Sequence, residues 1–406
     1  MVWDKSSFTL NVSAIFLLCT AFCFSQEEGS GDQFIGRSIH FDQQSARNKS
    51  DAKETILDKS AKHFLTTAIT TAVIPTLYLI IFAFGLPANG LAMINLITKV
   101  QRVPSTIFLM NLATADLLLV LVLPFKIHYH FQGNNWVFGE ALCRTMTAFF
   151  YGNMYCSILL LTFISVDRYF ALVHPFYSRR FRDNRSAVAV CSMIWTLVAL
   201  SVLPFLLQRQ VYSFQELNIT TCHDVLPRTT QQDYFFCYFV CLVVLGFLVP
   251  CLITVFCYVT VVKTLMMKND KYAKAIRTII LVLIVYVVCF TPSNTALLIH
   301  FSQFDLAENN HLYLYYVICL ALSTFNSCID PFIYYYMSED FRDNVRSIMS
   351  FSKEKKSEDS RKTFFHTEST STSRSIASKC ACSTLKNSES LGSREITGCN
   401  REFKEK

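Results

Sequence analysis

Charge is scarce in this 406-residue chain: Asp, Glu, Lys and Arg make up 17% of it, where a soluble domain carries roughly 25%. Glycine and proline are scarce too, at 11 and 10 residues, which excludes a collagen-like or low-complexity polymer. The 16 cysteines are about 4% of the residues, below the density of a disulfide-stapled scaffold. Nor does any metal, nucleophile or phosphate-loop constellation stand out, so the chain is read as a non-enzyme without an organic cofactor. What is abundant is apolar surface, 52% of the residues. Length alone would allow two or three globular domains, but this balance argues against a soluble multi-domain protein.

The apolar residues fall in runs. The first, Val12–Phe24, follows Lys5 and precedes small and polar residues near Ser25. It is too short to cross a hydrocarbon core, which needs about 20 residues, and predicts a secretory signal over residues 1–25. A polar stretch follows to about Lys62 and is not expected to fold alone. Seven longer runs come next: Ala68–Ile97, Ile107–Tyr129, Cys143–Leu172, Ala187–Leu207, Tyr234–Val262, Ile276–Phe301 and Leu312–Tyr336. Lipid offers the backbone no hydrogen-bond partners, so runs of this length must be helices. The fold class is therefore an all-α membrane protein, a seven-transmembrane helix bundle over residues 68–337.

Loop charge orients the bundle. Lys99, Arg102, Arg179, Arg180, Arg182, Arg185, Lys263, Lys268, Lys271, Lys274 and Arg277 follow the first, third and fifth runs. The loops on the other side carry Glu140, Glu216, Asp224, Asp233, Asp305 and Glu308 against only Arg209 and Arg228. The positive-inside rule puts the basic loops in the cytoplasm and the N terminus outside, as the signal peptide requires. The net charge of +7 then marks the membrane face that meets lipid headgroups, and no nucleic-acid partner is expected. Of the cysteines, two leave with the signal, three are cytoplasmic and nine lie within helices. Cys143 and Cys222 remain in the oxidising compartment and are expected to pair. Asn48 and Asn218 open outward-facing glycosylation sequons.

Ionisable groups at membrane depth are costly and mark function by default. Asp116 and Asp330 are the two acids placed deep in apolar runs. With Asn89, Ser157, Asn326 and Ser327 they form either a hydrated cavity for Na+ or a hydrogen-bond network that locks helices together. Lys126, near the outer end of the second helix, is expected to snorkel to the interface. After the seventh run, Ser338-Glu339-Asp340 caps a short amphipathic helix, residues 338–349, with Phe341, Val345, Ile348 and Met349 on one face. Residues 350–406 form a Ser/Thr-rich tail expected to be disordered.

One motif falls on each helix, in order: Gly85-Leu-Pro-Ala-Asn89, Leu112-Ala-Thr-Ala-Asp116, Asp167-Arg168-Tyr169, Trp195, Pro250 with Tyr258, Cys289-Phe290-Thr-Pro292 and Asp330-Pro-Phe-Ile-Tyr334. Together they resemble the rhodopsin-like G-protein-coupled receptors over about residues 68–349. Asn218-Ile-Thr-Thr-Cys222-His223-Asp224-Val-Leu-Pro227 further resembles the second outer loop of the protease-activated receptors. Gly133-Asn-Asn-Trp136, the run Phe149–Cys156, Phe290-Thr-Pro-Ser-Asn294 and Asn326-Ser-Cys-Ile-Asp-Pro331 are most similar to the type-2 branch of that family.

The resemblance implies a plasma-membrane receptor switched on when a protease exposes a tethered ligand. No lysine or arginine lies between Gln26 and Gly36, so a trypsin-like serine protease first meets Arg37, before Ser38. Residues 26–37 would leave, and the tail 38–67 would begin Ser38-Ile39-His40-Phe41-Asp42-Gln43. A cut near Asp32 would instead expose Phe34-Ile35-Gly36-Arg37, which echoes the ligand motif expected of the nearest relatives. Two alternatives are a thrombin-responsive member and a peptide receptor that needs no cleavage; Arg47, Lys49 and Lys53 among the acids of 41–58 favour the trypsin-like enzyme. About 30 residues of flexible tail span roughly 30 Å, enough to fold back at an effective concentration of order millimolar. The new amine would seek an acid, with Asp224 the first candidate and His223 beside it. Family positions map ligand contacts onto Tyr78, His130, Leu297, Tyr313 and Tyr316. Phe301 stands where a tyrosine is expected. On the cytoplasmic side Asp167 would restrain Arg168, next to Tyr169, until a heterotrimeric G protein binds. Tyr258, Phe290, Pro292 and Tyr334 would form the rest of the switch. Signalling through calcium and phosphoinositides, and arrestin binding at the tail around Thr367–Ser378, are expected.

Overall fold

Seven helices long and apolar enough to cross a membrane organise the chain: Ile69–Thr98, Pro104–Phe131, Gly139–Val173, Asn184–Leu207, Tyr238–Met266, Ile276–Ile299 and Leu314–Met337, here the first to seventh spans. The computed structural model describes residues 38–41, 55–57, 59–98, 100, 103–175, 183–224, 226–227, 236–267, 273–301, 312–337, 341–343 and 346. The expected signal peptide, Arg37, Asp42, Gln43, Asn48 and residues 350–406 lie outside them. Phe84, Leu252, Phe256 and Val287 are 62–66% exposed, which water would penalise and lipid does not. The opposite helix faces bury Leu112, Leu119, Ile158, Leu161, Val282 and Val285 along the bundle axis.

Prolines shape the spans. The fifth widens into a π-helical turn at Val244–Leu248, just before Pro250. Gly246 sits there because a Cβ would come within 2.8 Å of the Tyr155 ring. The sixth has a second π turn, Val285–Phe290, before Pro292, with Thr291 Oγ1 donating to the Tyr286 carbonyl at 2.8 Å. A ring without an N–H cannot close the preceding turn, so the helix re-pairs its carbonyls around it. The seventh breaks at Phe325 into helices Leu312–Thr324 and Asn326–Met337. Pro331 leaves the Ser327 carbonyl without its usual helical donor, and Asn89 Nδ2 of the first span supplies one at 2.7 Å.

Short strands cover the end of the bundle that carries the disulfide. β1 (Ser38–Phe41) lies between β2 (Thr55–Leu57), antiparallel, and β5 (Leu226–Pro227), parallel. The register sets Ile39 opposite Leu57, His40 opposite Ile56 and Ser38 opposite Leu226. β3 (Val211–Phe214) and β4 (Ile219–Cys222) form a hairpin, and Asn218 in its turn is exposed with a positive φ of 51°. A stem helix, Lys59–Thr66, joins the tail to the first span. Of the expected amphipathic helix at 338–349, Phe341–Asp343 are helical, with Phe341 buried and Asp343 exposed; its remaining residues, Arg346 apart, lie outside the described set.

Candidate functional site

The loop between the fourth and fifth spans is fastened to the third before any functional group is placed. Cys143 and Cys222 are bonded, as the cysteine count predicts. Glu140 accepts from the backbone N–H of Gln210 at 2.8 Å and of Val211 at 2.9 Å, and from Arg144 Nε at 2.6 Å. Arg144 in turn donates to the Leu206 and Leu207 carbonyls at the end of the fourth span. Asn135 Oδ1 takes the Thr220 N–H at 2.9 Å, and the Trp136 N–H reaches the Thr220 carbonyl at 2.6 Å. These bonds satisfy hairpin and helix-end groups that burial would otherwise leave unpaired. They also give Asn135 and Trp136 of the Gly133–Trp136 motif a structural task.

The fastened loop turns Asp224 inward. It is 4% exposed, accepts from Tyr129 Oη at 2.6 Å and faces Lys126 Nζ at 3.9 Å. Lys126 does not snorkel: its side chain is 13% exposed and its ammonium lies 5.0 Å from the Tyr129 ring centroid. The disulfide-held acid supplies the counter-charge that keeps it inside, and no feature of the second helix alone could have announced it. Of the candidate contact residues, Tyr78 and His130 lie in electrostatic reach of Asp224. Tyr78 is buried, its hydroxyl has no hydrogen-bond partner among the described residues, and it lies in electrostatic reach of Asp224 and Tyr316. The rings of Tyr78 and His130 are 6.0 Å apart. Tyr316 shares a hydrogen bond with Tyr151, which stacks on Phe205 at 4.4 Å and meets His223 edge-on at 5.9 Å. Leu297 is buried; Tyr313 stands in the helix Leu312–Thr324, but its side chain and that of Phe301 lie outside the described residues. Tyr129 and Tyr151 were not singled out as site residues from the sequence, although Tyr151 lies in the Phe149–Cys156 run.

Deeper in the bundle, Asp116 Oδ1 accepts from Ser327 Oγ at 2.9 Å and Asn153 Nδ2 at 3.2 Å, and Oδ2 from Tyr334 Oη at 3.4 Å. Tyr334 also reaches Asn89 Oδ1 at 3.3 Å. The first, second, third and seventh spans thus share one polar cluster. Asp330 is wholly buried within electrostatic reach of Asp116. Asp116 apart, no group bonds its oxygens among the described residues, and neither Ser157 Oγ nor the Asn326 amide has a hydrogen-bond partner there. Hard oxygens of this kind suit a cation such as Na+.

At the far end Asp167 accepts from Ser105 Oγ at 2.8 Å, and Tyr169 Oη pairs with His174 at 3.1 Å. The buried Tyr258 hydroxyl lies in electrostatic reach of Arg168 and Tyr286. Tyr286 bonds the Ile158 carbonyl at 2.8 Å, Thr162 Oγ1 at 2.7 Å and Thr254 Oγ1 at 3.3 Å, joining the third, fifth and sixth spans beneath Phe290, whose ring it meets edge-on at 5.7 Å. This hydroxyl cluster was not singled out from the sequence, although Thr162, Thr254 and Tyr286 interrupt otherwise apolar runs.

Comparison with known proteins agrees with this arrangement. The family described as "7 transmembrane receptor (rhodopsin family)" matches residues 88–334. Proteinase-activated receptor 2 of Mus musculus is 45% identical over 300 residues, covering 72% of this chain and 75% of the relative. Proteinase-activated receptor 4 of Mus musculus is 46% identical over 302 residues, 74% and 76% respectively. Proteinase-activated receptor 2 of Homo sapiens is 40% identical over 349 residues, 83% and 88%. Types 2 and 4 thus match at nearly equal identity. The chain is a multi-pass membrane receptor, not an enzyme, and belongs to the proteinase-activated receptors of the rhodopsin family.

Proposed function

We propose that a trypsin-like protease activates this receptor by cutting after Arg37, and that the new N terminus at Ser38 then serves as its tethered agonist. The observation that carries this reading is the backbone pairing of Ser38–Phe41 with Leu226–Pro227, two residues beyond Asp224 in the disulfide-held loop. Strand addition of this kind gives a peptide affinity through its main chain, while neighbouring pockets supply selectivity. Cleavage creates an ammonium group where there was an amide. Asp224 already faces a cation, Lys126, so the new amine would compete for a prepared acid. Tyr78, His130, Leu297, Tyr313, Tyr316 and His223 would line the path of the side chains.

The disulfide end then faces outward and the Asp167 end meets heterotrimeric G proteins, with calcium and phosphoinositide signalling downstream and arrestins at the tail. The agonist shifts the population of the bundle only by its differential affinity for the active state. The π turns beside Pro250 and Pro292 are the places where the fifth and sixth spans can change pitch at least cost. Arg168 and Tyr258 would exchange partners as they do so. Na+ among Asp116, Asp330, Ser157, Asn326 and Ser327 would favour the resting state by neutralising the two acids.

Adding trypsin to cells that express the chain should release calcium. Arg37→Ala should abolish that response, and a free peptide of residues 38–43 should activate both forms. An Arg37→Ala receptor that answers trypsin as strongly as the parent would overturn the reading.

A further inference from the structure

Asn134 is wholly buried, in a left-handed backbone with φ of 62°, directly after Gly133 at 70°. Its amide nitrogen donates to the Leu65 carbonyl at 2.8 Å and to Thr70 Oγ1 at 3.3 Å. The first of these partners can only accept. Thr70 Oγ1 itself donates, being 2.8 Å from the Phe64 carbonyl and 2.9 Å from that of Thr67, so it also presents a lone pair to Asn134. The amide therefore has one workable orientation, since the reverse would set its oxygen against acceptors. That orientation points Asn134 Oδ1 at His130 Nδ1, 2.6 Å away.

An amide oxygen cannot donate, so His130 must carry its proton on Nδ1. In a neutral imidazole the other nitrogen is then a lone-pair acceptor. His130 Nε2 is buried and has no hydrogen-bond partner among the described residues. Burying such an atom is costly unless something arrives to satisfy it. The Tyr78 ring lies 6.0 Å from the His130 ring, its hydroxyl also without a hydrogen-bond partner among the described residues, and Asp224 is within electrostatic reach.

We infer that Asn134 is a positioning residue that fixes His130 as a hydrogen-bond acceptor in the agonist site, making the site select a ligand end rich in N–H or O–H donors. The inference rests on the tethered-agonist reading and sharpens its chemistry: carboxylate and imidazole both accept, so the complementary group is a free amino terminus with a hydroxyl or amide N–H close behind. The same Asn134 holds the stem helix through Leu65, so the base of the tether and the acceptor share one residue.

Two substitutions separate these tasks. Asn134→Gly suits the left-handed backbone and deletes the amide. Asn134→Asp also tolerates that backbone and keeps an acceptor for His130 Nδ1, holding the same tautomer, but opposes the Leu65 carbonyl. Potency of the free 38–43 peptide is measured at matched surface expression, which removes the tail's own reach from the comparison. Asn134→Gly should lose about tenfold, the worth of one oriented hydrogen bond, and Asn134→Asp should stay within about threefold of the parent. On a His130→Phe background the Asn134→Gly loss should shrink to under about twofold, because coupled residues do not add. Equal losses in the Gly and Asp variants would assign Asn134 to stem anchoring or folding alone and overturn the inference, as would a full loss on the His130→Phe background. A peptide active on the parent and equally active on Asn134→Gly refutes the positioning role and leaves the agonist reading standing. A peptide inert on the parent sinks that reading and this inference with it.

Discussion

Two buried acids occupy opposite situations. Asp224, at the disulfide end, is met by a tyrosine hydroxyl and a lysine. Asp330, in the middle of the bundle, has the carboxyl of Asp116 in electrostatic reach, and no other side chain bonds it among the described residues. Asp116, in reach of Asp330, is itself held by three donors from two spans. The first acid is met by groups of two other side chains, the second chiefly by another acid.

The contrast can be broken at several points. Asp116→Ala removes the acceptor from Asn153, Ser327 and Tyr334 together and should lower stability by about 3 kcal/mol or more, seen as a reduced melting temperature of the purified receptor. Asp224→Asn keeps the Tyr129 hydrogen bond but drops the charge. Free-peptide potency should fall about 30-fold, and the melting temperature should drop as well because buried Lys126 loses its counter-charge. Asp330→Asn should move stability the other way, raising it by about 1 kcal/mol in sodium-free buffer, because the pressure between two buried acids is relieved. The parent should gain thermal stability as Na+ replaces a bulky organic cation, and Asp330→Asn should not; equal gains in both would count against a cation site there. Smallest of all, Asn218→Gln should shift the receptor on a gel by one glycan and leave peptide potency unchanged, since this exposed hairpin tip touches none of the site.

Much of this was legible in the chain. The seven apolar runs end within a few residues of the observed helices, because hydrocarbon thickness and backbone hydrogen bonding leave little freedom. The Cys143–Cys222 bond followed from compartment alone. The polar residues of the mid-bundle cluster were legible as exceptions to an apolar background. What stayed hidden depends on tertiary approach. Lys126 reads as a snorkelling lysine until a loop almost a hundred residues later lowers Asp224 beside it. Gly133–Trp136 reads as a short polar turn, yet its three non-glycine residues bond the stem helix, the hairpin and the start of the third span. The strands of the tail and their partner in the loop give no periodic signal because they are two to four residues long.

The Ser327 carbonyl has a wider consequence. Proline at 331 is usually regarded as a weakness in its helix, a rung missing from the ladder. Here the vacant rung is the attachment point for another helix, through Asn89. A first span rotated by one residue would carry the amide away from that carbonyl and strand both groups in a medium without water. The defect acts as a vernier, admitting one alignment of two otherwise smooth apolar cylinders that dispersion forces alone would let slide.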